Sequence, residues 1–457
     1  MTHKNTVQDI VPDLSITHIE NSLSSSRNIP FEDAPLRRIH RKAIAGGMGG
    51  QFTDGYIIGI IGVALSLAAN QLHLNNFWLG LIAAGSLLGI LFGSLIAGSF
   101  VDRIGRKLFY ISTILVFTVV SILQFYVQSA EQLFVLRLLL GVAIGADYAV
   151  SLSLVSELTP QRYRGRVMSS VMVAWVAGFV SAYIAGYYIE GLGEQAWRFA
   201  LVSSLIPAII TFFCRFGTPE SPLWLLAKGK YKKAESIIDQ YFGKDIALPV
   251  VDKSVKSSRW TRLFSKEWRR NTFVGGAFYF CQVVPFFALS IFMPKVLESI
   301  NVANPSIGTI TYNIFLFIGV LLGLVVIDKI SRRAFLIGSF YFCALALTIL
   351  AVWSNISPIT VILILSAFGI VMSASTVLEF VYLPELFPTE LRASGIGFSV
   401  AVSRIGGAGG TFLLPSVMAE YGVYIALGVC VISLLMGGII CQLFAPEPSR
   451  NLSKAFH

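Results

Sequence analysis

The stretch Gly98-Ser-Phe-Val-Asp-Arg-Ile-Gly-Arg-Lys107 separates two long apolar runs, and the related stretch Asp328-Lys-Ile-Ser-Arg-Arg333 holds the same place later in the chain. The shared aspartates, Asp102 and Asp328, are 226 positions apart. A second pair of stretches, Glu157-Leu-Thr-Pro160 and Glu385-Leu-Phe-Pro388, is 228 positions apart, and an arginine follows in each copy. The chain is therefore predicted to consist of two similar halves.

The composition is typical of a protein whose solvent is lipid. Of the 457 residues, 55% are hydrophobic and 13% are charged, and the mean hydropathy is +0.72. Soluble domains carry about 25% charged residues. An ordinary soluble enzyme, a disordered protein and a secreted module are therefore excluded.

The apolar runs match the length of membrane-spanning helices, each of which needs roughly 20 residues. They are continuous, whereas barrel strands would give shorter segments of alternating polarity. An all-α membrane protein with twelve spans is predicted. The predicted spans are 43–69, 77–100, 108–128, 133–157, 167–189, 197–216, 272–297, 306–328, 334–353, 358–382, 392–418 and 422–445.

The basic residues predict the orientation of these spans. One side of the predicted membrane collects 31 of the 35 Lys and Arg residues, together with both termini. The other side keeps Arg198 and Lys295, and Arg137 and Arg404 lie within spans. Because cytoplasmic loops are rich in Lys and Arg, both termini are predicted to be cytoplasmic. The net charge of +10 is thus assigned to membrane topology rather than to nucleic-acid binding.

These boundaries divide the chain into five parts. Residues 1–36 are polar, lack the apolar region of a signal peptide, and are predicted to form a mobile cytoplasmic tail. Two six-helix bundles are expected over 37–216 and 272–445. The loop 217–271 between them contains an amphipathic stretch, Tyr231–Tyr241, expected to lie along the membrane surface. Residues 446–457 form the C-terminal tail.

The repeated motifs resemble those of the major facilitator superfamily. Residues 98–107 match its loop signature position for position, and the likeness extends over residues 36–446. Arg137-Leu-Leu-Leu-Gly141, Pro219-Glu-Ser-Pro-Leu-Trp-Leu225 and Pro384–Arg392 resemble the sugar porter and organic ion (metabolite:proton symporter) branches. The resemblance implies two pseudo-symmetric bundles of six helices and secondary transport by alternating access, for which a monomer suffices.

Departures from sugar porters shift the expected substrate. Leu223 and Phe380 replace residues usual in that branch, and Ile57 stands where its proton-coupled members carry an aspartate. Asp54, three residues earlier, is more like other metabolite symporters. The first external loop, residues 70–76, is short, which favours a bacterial inner-membrane protein.

Two acids within spans are candidates for proton coupling. An ionised residue at the bilayer centre costs about 2.5–3.5 kcal/mol on insertion scales, so each needs a partner, a cavity or a function. Asp54 is the first candidate for the proton site, because Gly49, Gly50 and Gly55 allow close packing and burial disfavours the charged carboxyl. Its alternative is a structural role. Asp147 is a second relay member, a ligand for a substrate donor, or the partner of Arg137.

Arg404 is the candidate for binding a substrate carboxylate, because a guanidinium can bind it in a bidentate manner. The alternative is a structural ion pair with Glu379 or Asp54. Glu379 either serves as this counter-ion or selects an amine. Arg137 either pairs with the helix 1 acid or extends towards the outer surface.

The remaining candidates form two groups. Polar or aromatic residues that could line the substrate cavity are Gln51, Tyr56, Tyr148, Trp175, Gln282 and Asn313. Residues of the repeated loop motifs are expected to switch access at the cytoplasmic gate, as the resemblance implies. They are Gly98, Asp102, Arg103, Gly105, Arg106, Lys107, Glu157, Arg164, Glu220, Asp328, Arg332, Arg333, Glu385 and Arg392.

The sequence thus predicts a proton-coupled importer of a small organic acid or zwitterion. A sugar or polyol symporter, a proton-driven exporter and a transporter-like receptor remain alternatives. An enzyme is not predicted, because the spans lack a catalytic motif. No cofactor is expected, and the five cysteines have no metal-ligand spacing, so no metal is expected either. The expected partners are the small-molecule substrate, protons and the lipid bilayer.

Overall fold

The structure, a computed structural model, describes residues 29–249, 260–327, 329–353 and 356–447. Within these ranges, twelve helices are long and apolar enough to cross a membrane, which confirms the predicted fold class. In chain order they are α1 (Arg38–Ala68), α2 (Asn76–Ile104), α3 (Arg106–Leu123), α4 (Ala130–Leu158), α5 (Gln161–Glu190), α6 (Ala196–Arg215), α7 (Arg269–Ser299), α8 (Pro305–Val326), α9 (Arg332–Val352), α10 (Pro358–Glu385), α11 (Thr389–Tyr421) and α12 (Val423–Phe444).

Some helices extend beyond their apolar runs. α1 begins at Arg38, five residues before the predicted span, and α5 begins at Gln161, six residues before its own. A helix can continue past the hydrocarbon layer, where polar side chains reach water, and hydropathy alone does not mark its end.

The two bundles repeat the same helix pairs. α1 packs on α5 and α2 on α4 in the first bundle, as α7 packs on α11 and α8 on α10 in the second. Between the bundles, α2 contacts α11, α5 contacts α8, and α1 contacts α7. The predicted pseudo-symmetry is therefore present. Glycines bring α1 and α5 together: a Cβ on Gly55 would lie 2.0 Å from the Trp175 carbonyl oxygen.

We call the membrane side on which α1 begins and α12 ends the terminal side, and the opposite side the far side. Three hydrogen bonds that join the bundles lie towards the far side. Their donor and acceptor pairs are Tyr183 and the Ser290 carbonyl, Lys295 and Asn76, and Ser306 and Glu190. There, too, a Cβ on Gly80 would meet the Phe412 carbonyl oxygen at 2.1 Å. The far side of the interface is closed.

A break in α7 contributes to this closure. Phe292 has non-helical backbone angles, and Pro294 has no N–H to donate to the Ser290 carbonyl. The Tyr183 hydroxyl, from the other bundle, donates to that carbonyl at 2.5 Å. The proline thus leaves an acceptor in one bundle, and the other bundle supplies the donor.

The loop between the bundles packs on the first one. It contains the short helices Pro222–Ala227 and Tyr231–Ile237, followed by a helical turn at Ile238–Phe242. The amphipathic stretch from Tyr231 is helical, and its apolar residues Ala234, Ile238 and Phe242 are buried against the protein. Phe31 and Phe242 have ring centroids 4.9 Å apart, and Ile29 forms a β-bridge with Ile246. Phe31 and Ala34 are buried, so the end of the expected mobile tail packs on the first bundle, whereas Leu36 is exposed.

Candidate functional site

Asp147 of α4 and Arg215 of α6 form a fully buried ion pair in the first bundle. Arg215 donates to both carboxylate oxygens of Asp147, from Nη1 to Oδ1 at 2.5 Å and from Nη2 to Oδ2 at 2.8 Å. Thr113 also donates to Oδ1, at 2.7 Å. The predicted alternative, a pair between Asp147 and Arg137, is therefore wrong. Sequence reasoning missed Arg215, because a basic residue at the end of a span is typical of a membrane surface.

The pair fits because α1 has no side chain at the point of contact. A Cβ on Gly50 would lie 1.8 Å from Arg215 Nη2 and 2.9 Å from Asp147 Oδ2. Arg215 Nε donates to the Gly46 carbonyl at 3.0 Å, and the Tyr110 ring centroid lies 4.0 Å from the guanidinium carbon. Four helices thus enclose the pair.

Arg137 is also buried, with 1% of its surface exposed. Its Nη2 donates to the Ile57 carbonyl of α1 at 2.9 Å. Both predicted alternatives, a pair with the helix 1 acid and extension to the outer surface, are wrong. Since Ile57 has no side-chain acceptor, the arginine binds the backbone at that position.

Asp54 is fully buried in α1 and makes few polar contacts. Its Oδ2 accepts a long hydrogen bond of 3.4 Å from Gln51 Nε2, and its Oδ1 has no hydrogen-bond partner. Asp54 lies one helical turn after Gly50, against which the Asp147–Arg215 pair packs. The predicted close packing is present: a Cβ on Gly50 would meet Arg215, as described above.

Arg404 of α11 is 7% exposed and lies at the interface of the bundles. Its guanidinium carbon is 5.9 Å from the Tyr148 ring centroid of α4 and 5.8 Å from that of Phe287 of α7. Its Nε has no hydrogen-bond partner. In the part of the chain that the structure describes, no carboxylate lies within ion-pairing distance of it. The predicted alternative of a structural pair with Glu379 or Asp54 is therefore wrong for this conformation.

Glu379 of α10 lies near the Tyr279 hydroxyl of α7 and the Arg404 guanidinium of α11. Glu379 is half-buried and Tyr279 is buried. Glu379 and Arg404 thus lie near each other without forming an ion pair.

Trp175 and Tyr148, both half-buried, connect this region to the first bundle. Trp175 Nε1 donates to the Tyr148 hydroxyl at 2.8 Å. The indole also lies against the second bundle, with its centroid 6.2 Å from that of Phe287 and 6.4 Å from that of Phe286. The structure therefore brings together Tyr148, Trp175 and Arg404 of the predicted candidates.

The other predicted lining residues are satisfied mainly within their own bundles. The Tyr56 hydroxyl bonds to that of Ser203 of α6 at 2.8 Å, away from the interface. Gln282 donates to Ser375 at 2.8 Å, and the Asn313 amide donates to the backbone of its own helix. The side-chain oxygens of Gln282 and Asn313 have no hydrogen-bond partner.

The first loop motif forms a network at the terminal side. Arg106 forms an ion pair with Glu157, and Ser221 Oγ donates to the other oxygen of Glu157 at 2.5 Å. The backbone N–H groups of Arg106 and Lys107 donate to Glu220, at 3.0 and 3.2 Å. Glu220 thereby caps the start of α3 with a negative charge.

Gly105 and Arg164 are two further residues predicted for the gate. Gly105 has a φ of +119°, and a Cβ there would lie 2.6 Å from Glu220, so the turn requires glycine. Arg164 is half-buried, and its Nε has no hydrogen-bond partner. The backbone of Gly98, Asp102 and Arg103 is helical, and the contacts of these three residues lie outside what the structure describes.

The second loop motif repeats the central contact of the first. Arg332 Nε lies 2.9 Å from Glu385 Oε2, which matches the pair of Arg106 with Glu157. Arg333 donates to the Gln442 carbonyl at 2.6 Å, and Arg392 donates to the Pro384 carbonyl at 3.2 Å. Asp328 lies outside the described residues.

The chain is similar to known transport proteins over nearly all of its length. The family model described as "Sugar (and other) transporter" matches residues 42–451. The inner membrane metabolite transport protein YgcS of Escherichia coli is 36% identical over 92% of this chain and 94% of its own. The putative metabolite transport protein YaaU of the same organism is 32% identical over 95% and 97%.

The fold matches that of a solved transporter. The partially occluded inward-open structure of the xylose transporter XylE from Escherichia coli superimposes with a TM-score of 0.77. It covers 90% of this chain and 99% of its own, at 19% sequence identity. The arrangement of twelve helices in two bundles is therefore shared.

Proposed function

Because the chain belongs to the sugar (and other) transporter family, we propose that it imports a small organic acid together with protons by alternating access. The family consists of transporters and not of enzymes, and the twelve spans make the chain a multi-pass membrane protein. The proposal adds the substrate class, the coupling ion and the residues that bind each of them.

The observation that carries the substrate class is the state of Arg404. A buried cation is costly unless a counter-charge and hydrogen-bond acceptors surround it. Arg404 is buried at the bundle interface without a carboxylate partner among the described residues, next to the half-buried Tyr148. A substrate carboxylate supplies the missing charge and accepts the guanidinium N–H groups.

Asp54 is the proposed proton carrier. A buried carboxyl costs less as the neutral acid than as an unpaired anion. Asp54 has one oxygen without a partner, whereas both oxygens of Asp147 are bound. Asp147 is therefore a structural anion in this proposal, and Asp54 is the acid that can exchange its proton.

The proposal also assigns a role to the loop networks and an orientation to the protein. The pairs Arg106 with Glu157 and Arg332 with Glu385 lie at the ends of helices that move with each bundle. We assign the terminal side to the cytoplasm and the protein to a bacterial inner membrane, as the basic residues and the relative YgcS support. The closed far side then makes this conformation inward-facing.

A sugar or polyol substrate is the second candidate. Its support is the pair of uncharged acceptors in the second bundle, since Gln282 and Asn313 each have a buried side-chain oxygen without a partner. Hydroxyl groups of a sugar could donate to them. This alternative leaves the unpaired charge of Arg404 without a role in binding.

The test is thermal stabilisation of the purified protein by a panel of organic acids, amino acids, sugars and polyols. A ligand that binds only the folded state raises its stability, by about 2.7 kcal/mol at a hundredfold excess over Kd. We expect carboxylates to stabilise the wild type and to lose this effect in Arg404→Ala. The matched control is Arg198→Ala, because Arg198 lies at the far side and donates to the Phe125 carbonyl. Stabilisation by sugars alone, unchanged in Arg404→Ala, would favour the second candidate.

A further inference from the structure

The side chains around Arg404 restrict the kind of ligand that can bind there. Two aromatic rings from different bundles, Tyr148 and Phe287, lie about equally far from its guanidinium carbon, at 5.9 and 5.8 Å. Trp175 extends this aromatic wall by its contacts with Tyr148 and Phe287. The cation therefore lies at one end of a wall formed by α4, α5 and α7.

The wall is accessible at only some of its members. Phe286, Phe287 and Phe179 are buried, with at most 6% of their surface exposed. Trp175 and Tyr148 are only half-buried. Phe179 stacks on Trp175, with an interplanar angle of 16°, and holds the plane of the indole. Accessible aromatic surface is thus found at Tyr148, next to Arg404, and at Trp175, which is hydrogen-bonded to Tyr148.

Tyr148 and Arg404 each have a hydrogen-bond donor that is free to bind an anion. The Tyr148 hydroxyl accepts from Trp175, so its own proton remains available to donate. Arg404 Nε is likewise without an acceptor. A carboxylate accepts from both, whereas a neutral hydroxyl supplies neither the charge nor the planar pair of acceptors.

We propose that the ligand is a small aromatic or heteroaromatic carboxylate, held by Arg404 and Tyr148 at its carboxylate and by Trp175 at its ring. The inference rests on the proposed function and narrows its substrate class. Two aromatic rings in offset or edge contact stabilise each other by more than their buried area predicts. An aromatic substrate ring can make such a contact with Trp175. A saturated ring of the same size does not.

Three probes test the proposal by thermal stabilisation of the full chain. Benzoate has the charge and the planar ring, cyclohexanecarboxylate has the charge alone, and benzamide has the ring alone. We expect benzoate to bind about tenfold more tightly than cyclohexanecarboxylate, as an aromatic contact of this kind supplies. Benzamide is expected to give no stabilisation.

Two variants locate the effect. Trp175→Leu is expected to remove the preference for benzoate over cyclohexanecarboxylate, whereas Trp353→Leu, at a residue 64% exposed, is the matched control and leaves it unchanged. Tyr148→Phe retains the ring and removes one donor, so both carboxylates are expected to weaken by a similar factor. If Trp175→Leu does not fold, Tyr148→Phe still tests whether the carboxylate binds at this place.

The outcomes separate this inference from the proposed function. Equal binding of benzoate and cyclohexanecarboxylate by the wild type would overturn ring recognition and leave an organic acid transporter. Failure of every carboxylate in the panel would overturn both. A benzoate preference that survives Trp175→Leu would contradict the assigned place of the ring.

Discussion

Arg215 and Arg404 are both buried arginines of a membrane protein, yet their surroundings are opposite. Arg215 donates from Nε, Nη1 and Nη2 to a carboxylate, backbone carbonyls and hydroxyls at 2.5–3.4 Å. Arg404 lies between aromatic rings, and its Nε has no acceptor. The difference teaches that a fully bonded charge holds helices together, while a charge with free donors is available to a ligand.

Removing each arginine gives the largest expected contrast. Arg215→Leu leaves the Asp147 carboxylate buried and alone, which costs about 3–5 kcal/mol of folding stability. Arg404→Leu removes a buried charge that has no counter-ion among the described residues, so stability is expected to stay the same or rise. Thermal unfolding of both variants in detergent checks this. Equal losses in the two variants would mean that Arg404 is also a structural residue.

The two acids of the first bundle extend the comparison. Asp54→Asn retains the size of the side chain but cannot exchange a proton, so uptake against a gradient is expected to stop while exchange of substrate continues. Proteoliposome uptake driven by an imposed pH gradient measures the first, and counterflow measures the second. Glu298→Gln, at an exposed residue at the end of α7, is the control. Accumulation by Asp54→Asn would contradict its role as proton carrier.

Two glycine variants sharpen the comparison at the backbone. Gly50→Ala places a methyl group 1.8 Å from Arg215 Nη2 and is expected to cost about 1–3 kcal/mol by overpacking. Gly409→Ala in α11 meets no atom within 4 Å, and its gain in helix propensity is about 1 kcal/mol. The unfolding temperature should therefore fall in Gly50→Ala and rise in Gly409→Ala. Stabilisation by Gly50→Ala would show that the ion pair can move away at no cost.

The smallest effect is expected at the far side. Tyr183→Phe removes the hydrogen bond to the Ser290 carbonyl and costs the closed interface about 0.5–1.5 kcal/mol. Distances between spin labels in the far-side loops should then show more of the open state. Tyr187→Phe, at a residue 41% exposed one turn later, is the control. An unchanged distance distribution in Tyr183→Phe would show that this hydrogen bond does not stabilise the closed far side.

The sequence predicted the fold well because its signals are local or repeated. Apolar runs marked twelve helices, and the two copies of the loop motif predicted both Arg106 with Glu157 and Arg332 with Glu385 as parts of one kind of network. Each of these signals is a pattern along the chain, which needs no knowledge of which helices touch.

The site was less predictable because partners are distant in sequence. Asp147 and Arg215 are 68 positions apart and on different helices. Arg137 lies on the same helix as Asp147, but ten residues of helix separate them by about 15 Å, too far for an ion pair. The unpaired state of Arg404 is equally hidden in the sequence, since Glu379 lies near it in the fold but forms no ion pair with it. Hydropathy also treats Arg215, at the end of its span, as a surface residue.

The most direct test is uptake of a stabilising carboxylate into proteoliposomes with an inward proton gradient, measured above the uptake by protein-free liposomes. The free donors of Arg404 predict accumulation by the wild type, none by Arg404→Ala, and reduced uptake by Arg404→Lys, because a lysine retains the charge without the planar fork. Arg198→Ala should transport as the wild type does. Undiminished accumulation by Arg404→Ala would contradict the account, and substrate recognition would then lie elsewhere.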